Sequence, residues 1–476
     1  MNYIVKRTAP LVLFFFVFAS VFPGKALCMS VEEEEELSKE FLKVTLSHYE
    51  LVDDPLIVDY VNKVGQNIVA QLPSPPYRYH FYVIRQDVYN AFAGPGGHIF
   101  INSGLLEGLE SEEDLAGLLA HEISHVACRH IADMVEKSKK TTLLTLAGIA
   151  TGILMGVGGA APAAASAVTV GSIAAGASAS LAYSREHEME ADQIALKYLA
   201  KAGYSGEGLL RTLKKIRSRN WYGSGQIPVY LTTHPATEDR IAYISSSMEG
   251  MLALQTKNDD PEFQCIQTRL TALYGEERIA RRKFETAVKN QPDHYLSHYG
   301  YGLILTRTGD HNGAITHFRK ALEIKPLDQK VIRELGRVHF LNGDYKEAYT
   351  MLKEAASPSR RDSEARFYLS RTMKELGKPE EAARELEALL ENNPNYTPAY
   401  YHLGLIYGEQ EKMGEAHYYL GLYYKKKGRL KNTMFHLRKA VQHLDEMKDE
   451  MKKKRAEAIL KSAGDKNEDD GEKTGD

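Results

Sequence analysis

Residues 115–130, LAGLLAHEISHVACRH, place His121 and His125 four apart with Glu122 beside the first. On an α-helix that spacing puts both imidazoles on one face, one turn apart. Two such imidazoles can grip one Zn²⁺, and Glu122 can reach a water held by the ion and take its proton. A catalytic zinc needs a third protein ligand and an open fourth position. Position 128 is Cys and position 131 is Ile, so the Gly and His with which a metzincin would continue are missing. The other common source is a carboxylate from a second helix. LAYSREHEMEADQIALKYLAKAGY supplies Glu188 and Asp192, four apart and so on one face. Glu188 can be the third ligand. Asp192, one turn on, can hold an imidazole N–H, while Glu186 and Glu190 point elsewhere. His234, on an expected loop in TTHPATEDR, either approaches the zinc as a fourth ligand or donates to the oxyanion of the intermediate. Arg240 can orient it or neutralise charge.

These residues need elements to hold them. Ser111 followed by Glu112, Glu113 and Asp114 is a helix start. Leu115, Leu118, Leu119, Ile123 and Val126 recur at helical spacing, which predicts a helix with one buried face. Upstream, YRYHFYVIRQDVYNAFAGPGGHIFINSGLL alternates apolar and polar residues around Gly94-Pro95-Gly96-Gly97, a turn between two strands. GGHIFIN is expected to be an edge strand to which an extended substrate could add. Residues 141–184 carry no charge and many Ala and Gly. They form either a pair of small-residue helices or flap beside the site, or a membrane segment giving peripheral membrane contact.

The 476-residue chain is 43% hydrophobic and 26% charged, with a formal net charge of -3. It has no bulk basic excess and one Trp, which argues against nucleic acid as a partner. The start, MNYIVKRTAPLVLFFFVFASVFPGKALCMS, has Lys6 and Arg7, an apolar run and then Ala26-Leu27-Cys28. We expect a signal peptide over 1–28, because the run is too short to span a bilayer. Lys25 and Leu27 argue against acylation of Cys28. The expected compartment is the periplasm. Cys128 and Cys265 then remain, either paired across two domains or as two buried thiols.

From residue 262 the texture becomes repetitive. Pro292, Pro326 and Pro394, Gly302, Gly336 and Gly404, and Gly309, Gly343 and Gly377 each follow steps of 34 or 68. Ala280, Ala314, Ala348, Ala382 and Ala416 keep the same period, which is the tetratricopeptide pattern. Gly421 is irregular, only 17 residues after Gly404. The expected organisation is a signal peptide (1–28), a zinc metalloprotease domain (29–258), repeats (262–445) and a charged, disordered tail (446–476). The fold class is an α+β zincin-type domain, mainly helical with a small sheet, followed by an all-α solenoid.

NAFAGPGGHIFINSGLL, LAGLLAHEISHVACRH, SREHEMEAD and THPATEDRI, in that order, resemble the CAAX prenyl protease and HtpX-like zinc peptidases. With the leader and repeats, the chain is most similar to their periplasmic beta-barrel assembly-enhancing group. The resemblance implies one zinc on His121, His125 and Glu188, Glu122 as general base, and Asp192 assisting. It also implies quality control in outer-membrane protein assembly, acting on misfolded or stalled envelope proteins, with the repeats holding substrate or an assembly complex. Prenyl proteases span the membrane several times. Here only residues 141–184 could, so a membrane-embedded substrate tunnel does not carry over. The rival expectations are a non-catalytic periplasmic chaperone or adaptor that uses its repeats, and a membrane-anchored protease.

Overall fold

The computed structural model describes residues 29–75, 77–137, 183–222, 229–235, 238–249, 260–357, 362–444 and 449–472. The expected leader and most of the uncharged 141–184 stretch lie outside them. The chain divides into two compact units, residues 1–263 and 264–476. No helix among the described residues is long and apolar enough to cross a membrane.

The first unit opens with helices α1 (Val31–His48) and α2 (Pro55–Val69). A three-stranded sheet follows: β1 (His80–Ile84), β2 (Ala91–Ala93) and β3 (His98–Asn102), in the spatial order β1-β3-β2. β3 pairs parallel with β1 (His80 opposite His98) and antiparallel with β2 (Phe92 opposite Phe100). This corrects the expectation for GGHIFIN. β3 is central, and all five of its residues are buried. A continuous apolar run such as Ile99-Phe100-Ile101 suits a strand covered on both sides. The outer side of β1 is occupied, since Val52 N–H donates to Val83 and Arg85 N–H donates to Glu50. Among the described residues no further strand pairs with the outer side of β2, whose three residues are buried. The turn between β2 and β3 needs glycine, because Gly97 has φ 87° and a methyl there would meet the Arg78 carbonyl at 2.6 Å.

α3 (Ser103–Gly108) leads into α4 (Glu112–Ala127), which carries the two histidines. Ser111 Oγ accepts the Asp114 N–H at 3.4 Å, and three acids in the first turn face the positive end of the helix dipole. Every residue from Glu113 to Val126 is buried, so α4 runs through the middle of the unit rather than burying one face. Burial of each leucine contributes about 1.5–3 kcal/mol. α5 (His130–Lys137) follows after a sharp break. α6 (Arg185–Ala202) starts at Ser184, whose hydroxyl accepts the His187 N–H at 3.2 Å. α7 (Glu207–Tyr222) packs on α4 so closely that a methyl on Gly208 would sit 1.9 Å from the Glu113 carbonyl oxygen. The short α8 (Val229–Thr233) and α9 (Glu238–Glu249) complete the unit.

The second unit is a run of antiparallel helices from Pro261–Tyr274 to Glu450–Glu472. Four of its helix-borne glycines each receive a large side chain 16 positions later. A methyl on Gly302 would meet Phe318 at 2.6 Å, on Gly336 Leu352 at 2.7 Å, and on Gly404 Leu420 at 2.6 Å. Gly421 meets Leu437 in the same way, at 2.5 Å. The half-step in the sequence thus has a cause: helix Met413–Lys426 closes one pair and opens the next. The tail departs from expectation. Glu450–Glu472 is helical, and its Ala456 and Ile459 join the core around Leu437, Ala440 and Leu444. Cys128 and Cys265 form no disulfide.

Candidate metal centre

α4 delivers His121, Glu122 and His125 to one buried point, and α6 delivers Glu188 and Asp192 opposite them. The two Nε2 atoms of His121 and His125 are 3.1 Å apart. Glu188 lies 3.5 Å from His121 Nε2 and 3.3 Å from His125 Nε2. His234 lies outside the helices, as expected, directly after α8, with its N–H donating to the Tyr230 carbonyl at 2.8 Å. Ligand atoms of His121, His125, Glu188 and His234 all lie within 4.8 Å of one another, and all four residues are buried. Nε2 of His234 has no hydrogen-bond partner, and the Glu188 oxygens are answered only by ion pairs with His121, His125 and Arg240. Buried polar atoms without partners are costly. Imidazoles and a carboxylate converging on one point are a donor set that suits zinc.

The supporting shell is complete. Asp192 Oδ1 lies 2.9 Å from His121 Nδ1, so it can hold that N–H and turn Nε2 inward. Arg240, on α9, donates to both Asp192 oxygens at 2.7 and 2.8 Å and to the Pro235 carbonyl at 3.0 Å. It therefore orients the carboxylates and the chain just after His234, rather than the His234 ring. Thr233 Oγ lies 2.9 Å from His234 Nδ1, and the Tyr230 ring stacks on His234 at 4.5 Å. Tyr183 stacks on His125 at 3.8 Å. The sequence reasoning missed both tyrosines, although Tyr183 stands in LAYSREHEMEAD and Tyr230 lies two residues ahead of TTHPATEDR. It also missed His130, whose Nδ1 lies 2.9 Å from His125 Nδ1. Glu186 is exposed, and Glu190 turns to His130 at 3.2 Å.

The charges are strongly coupled. Burial depresses the His121 imidazole, but the Asp192 and Glu188 carboxylates outweigh it and hold it up at about 9. His125 is lowered to about 3, chiefly by burial. Burial also works to raise Glu188, yet the imidazoles of His234, His121 and His125 hold it well below the usual carboxylate range. Burial pushes Glu122 up to about 7, against the opposing pull of His121. Its carboxylate lies 3.7 Å from His234 Nε2 and faces the Ala93 backbone on β2.

Residues 57–248 match peptidase family M48, and residues 275–329, 305–364 and 339–404 match tetratricopeptide repeat models. The chain thus joins a peptidase family M48 domain to a tetratricopeptide array, and it is a metalloprotease. It is 27% identical over 373 residues to the beta-barrel assembly-enhancing protease of Escherichia coli, covering 77% of this chain and 74% of that protein. It is 30% identical to a putative beta-barrel assembly-enhancing protease of Vibrio cholerae, over 45% of this chain and 43% of the other. The mitochondrial metalloendopeptidase OMA1 of Schizosaccharomyces pombe is 25% identical over 45% of this chain and 61% of its own. Among solved structures, that of MamA matches with TM-score 0.30 and 21% identity, covering 33% of this chain and 91% of its own.

Proposed function

We propose that this chain is an exported zinc metalloendopeptidase that degrades misfolded or stalled envelope proteins in the periplasm, in the quality control of outer-membrane protein assembly. The observation that carries the catalytic reading is the buried convergence of His121, His125, Glu188 and His234 within 4.8 Å, with Glu122 beside them. His121, His125 and Glu188 would hold the zinc. When bound, zinc supplies a polarising charge at the scissile carbonyl and acidifies water. Glu122 takes the proton of the attacking water and returns it to the leaving amine. Asp192 fixes the His121 tautomer.

The substrate docks as an extended strand along β2. In the antiparallel pairing Asn102 N–H donates to Asn90 and Gly94 N–H donates to His98. The backbone groups of Ala91 and Ala93 therefore point away from β3, with Ala93 beside the Glu122 carboxylate, and an added strand would pair on that side. Backbone pairing ignores side-chain identity, which suits cleavage of unfolded chains of many sequences. The envelope role draws on the names of the relatives and on the expected leader. The repeats supply a surface for substrate or an assembly complex.

The test is casein turnover by the zinc-loaded full chain. Glu122→Gln should reduce it by roughly 10³-fold or more while zinc content stays at one per chain. Loss of zinc from Glu122→Gln would show that Glu122 is a ligand and not the base.

A further inference from the structure

A second cluster of ligand-type side chains lies on the far side of His125. Cys128, His130 and Glu190 bring a thiol, a ring nitrogen and a carboxylate oxygen within 4.8 Å of one another. We propose that these three residues form a second cation site for a thiol-seeking divalent ion such as zinc or cadmium, and that its occupancy loosens the first site through His125.

The backbone is bent to build the cluster. α4 ends at Ala127, Cys128 caps it, and Arg129 takes the left-handed conformation at φ 55°. A non-glycine residue adopts that conformation only where its surroundings impose it. The bend is held by Arg129 Nε pairing with the buried Glu34 carboxylate at 3.1 Å. It reverses the chain so that Cys128 and His130 both face Glu190 on α6. His130 Nε2 and Glu190 lie 3.2 Å apart. Ligands bonded at roughly 2.0–2.3 Å in a tetrahedron stand about 3.3–3.8 Å apart, so little movement is needed. The Glu190 side chain is 57% exposed and that of His130 3%, so an ion can arrive from solvent at Glu190 and meet a fixed imidazole. Burial, with the Glu190 carboxylate adding to it, pushes the Cys128 thiol up to about 12. A cation must therefore displace the thiol proton into solvent to form its bond to sulfur. This selects soft or borderline ions over magnesium and calcium.

The coupling follows from the tautomers, and it rests on the proposal that His125 Nε2 holds the first ion. With Nε2 so engaged, His125 carries its proton on Nδ1, which faces His130 Nδ1 at 2.9 Å. His130 accepts that proton comfortably while its own N–H is on Nε2, toward Glu190. An ion on His130 Nε2 moves the His130 proton to Nδ1. Two N–H groups then confront each other, and one imidazole must turn. By linkage, each ion weakens the other by the same factor.

The test uses the full chain loaded with one zinc, titrated with cadmium. A second equivalent should bind with a thiolate-to-cadmium absorption band in the near ultraviolet. Cys128→Ser should lose the band and the second equivalent but keep the first, whereas Cys265→Ser should keep all three. Excess zinc should inhibit casein turnover by about tenfold, within the usual range for coupled sites, and hardly at all in Cys128→Ser. No second equivalent, or a band that survives Cys128→Ser, overturns the site. A band without inhibition overturns the coupling. Glu188→Ala separates this proposal from the catalytic one, since it should keep the band. If it also keeps the first zinc, the catalytic assignment fails while the second site stands.

Discussion

Both units of this chain bury a cluster of opposite charges, and the two clusters are built on different rules. In the solenoid, Glu334 accepts from Arg269 at 2.7 Å, from Arg333 at 2.8 Å and from Arg337 at 2.8 Å. Glu364 and Asp362 pair with the same arginines. Donors answer acceptors, and no nitrogen-rich set of lone pairs converges on a common point. In the peptidase unit one arginine, Arg240, grips Asp192 and reaches Glu188, while three imidazoles crowd the same carboxylate and His234 Nε2 is left without a hydrogen-bond partner. Burial of charge is common to both. What distinguishes the site that can hold a cation is an excess of acceptors aimed inward.

The comparison breaks first at Glu188. Glu188→Ala should abolish casein turnover and bring zinc below one-tenth of an equivalent, because a third ligand is lost. In the metal-free protein the same change should cost little stability, since Arg240 retains Asp192. Zinc analysis and urea unfolding on one preparation read both. Normal zinc content would move the third ligand elsewhere.

Glu334→Ala should do the reverse. It removes the carboxylate that Arg269, Arg333 and Arg337 share and leaves Glu364 and Asp362 to balance three buried guanidinium groups, which costs about 3–5 kcal/mol, while zinc content remains at one. The check is the midpoint of urea unfolding followed beside metal analysis. A loss smaller than that of metal-free Glu188→Ala would erase the distinction between the two clusters.

The contrast also explains what could be read from the sequence. His121, Glu122 and His125, and Glu188 with Asp192, are legible because one helix turn fixes their mutual position. The 34-residue glycines are legible because each meets a local need within its repeat, close packing at Gly302, Gly336 and Gly404 and a positive φ at Gly309, Gly343 and Gly377. What depended on chain reversals was not. His130 comes under His125 only because Arg129 turns left-handed, and nothing in VACRH announces that. β3 reads as half of a hairpin, and only the parallel pairing of β1, reached through the fold, makes it central. The charged tail conceals Ala456 and Ile459, two apolar residues that suffice to dock a helix on an existing core.

The next test is Asp192. Asp192→Asn keeps shape but offers one acceptor and loses the charge that holds His121 and Arg240. Zinc affinity should fall by roughly 10–100-fold, the usual effect of removing such a partner. Competition against a calibrated chelator measures it. An unchanged affinity would mean that Arg240 and the fold alone orient His121.

The smallest expected effect concerns His234, and its sign decides between two roles. His234 is buried, its Nδ1 is tied to Thr233, and its Nε2 is left over beside the His121, His125 and Glu188 ligand atoms. That arrangement favours a fourth ligand over a donor to an oxyanion, because a donor would have to swing away from the ion. If His234 closes the fourth position nine-tenths of the time, only a tenth of the molecules are competent. His234→Ala should then raise basal casein turnover and self-cleavage by about tenfold. An oxyanion donor predicts the opposite, a fall in kcat of roughly 10²–10³-fold. Steady-state turnover of His234→Ala, with Glu122→Gln as the blank, reads the sign directly. Zinc affinity should drop in the same variant if the imidazole is a ligand, and stay level if it acts only on substrate. A faster enzyme that holds zinc less tightly is the result a latch requires.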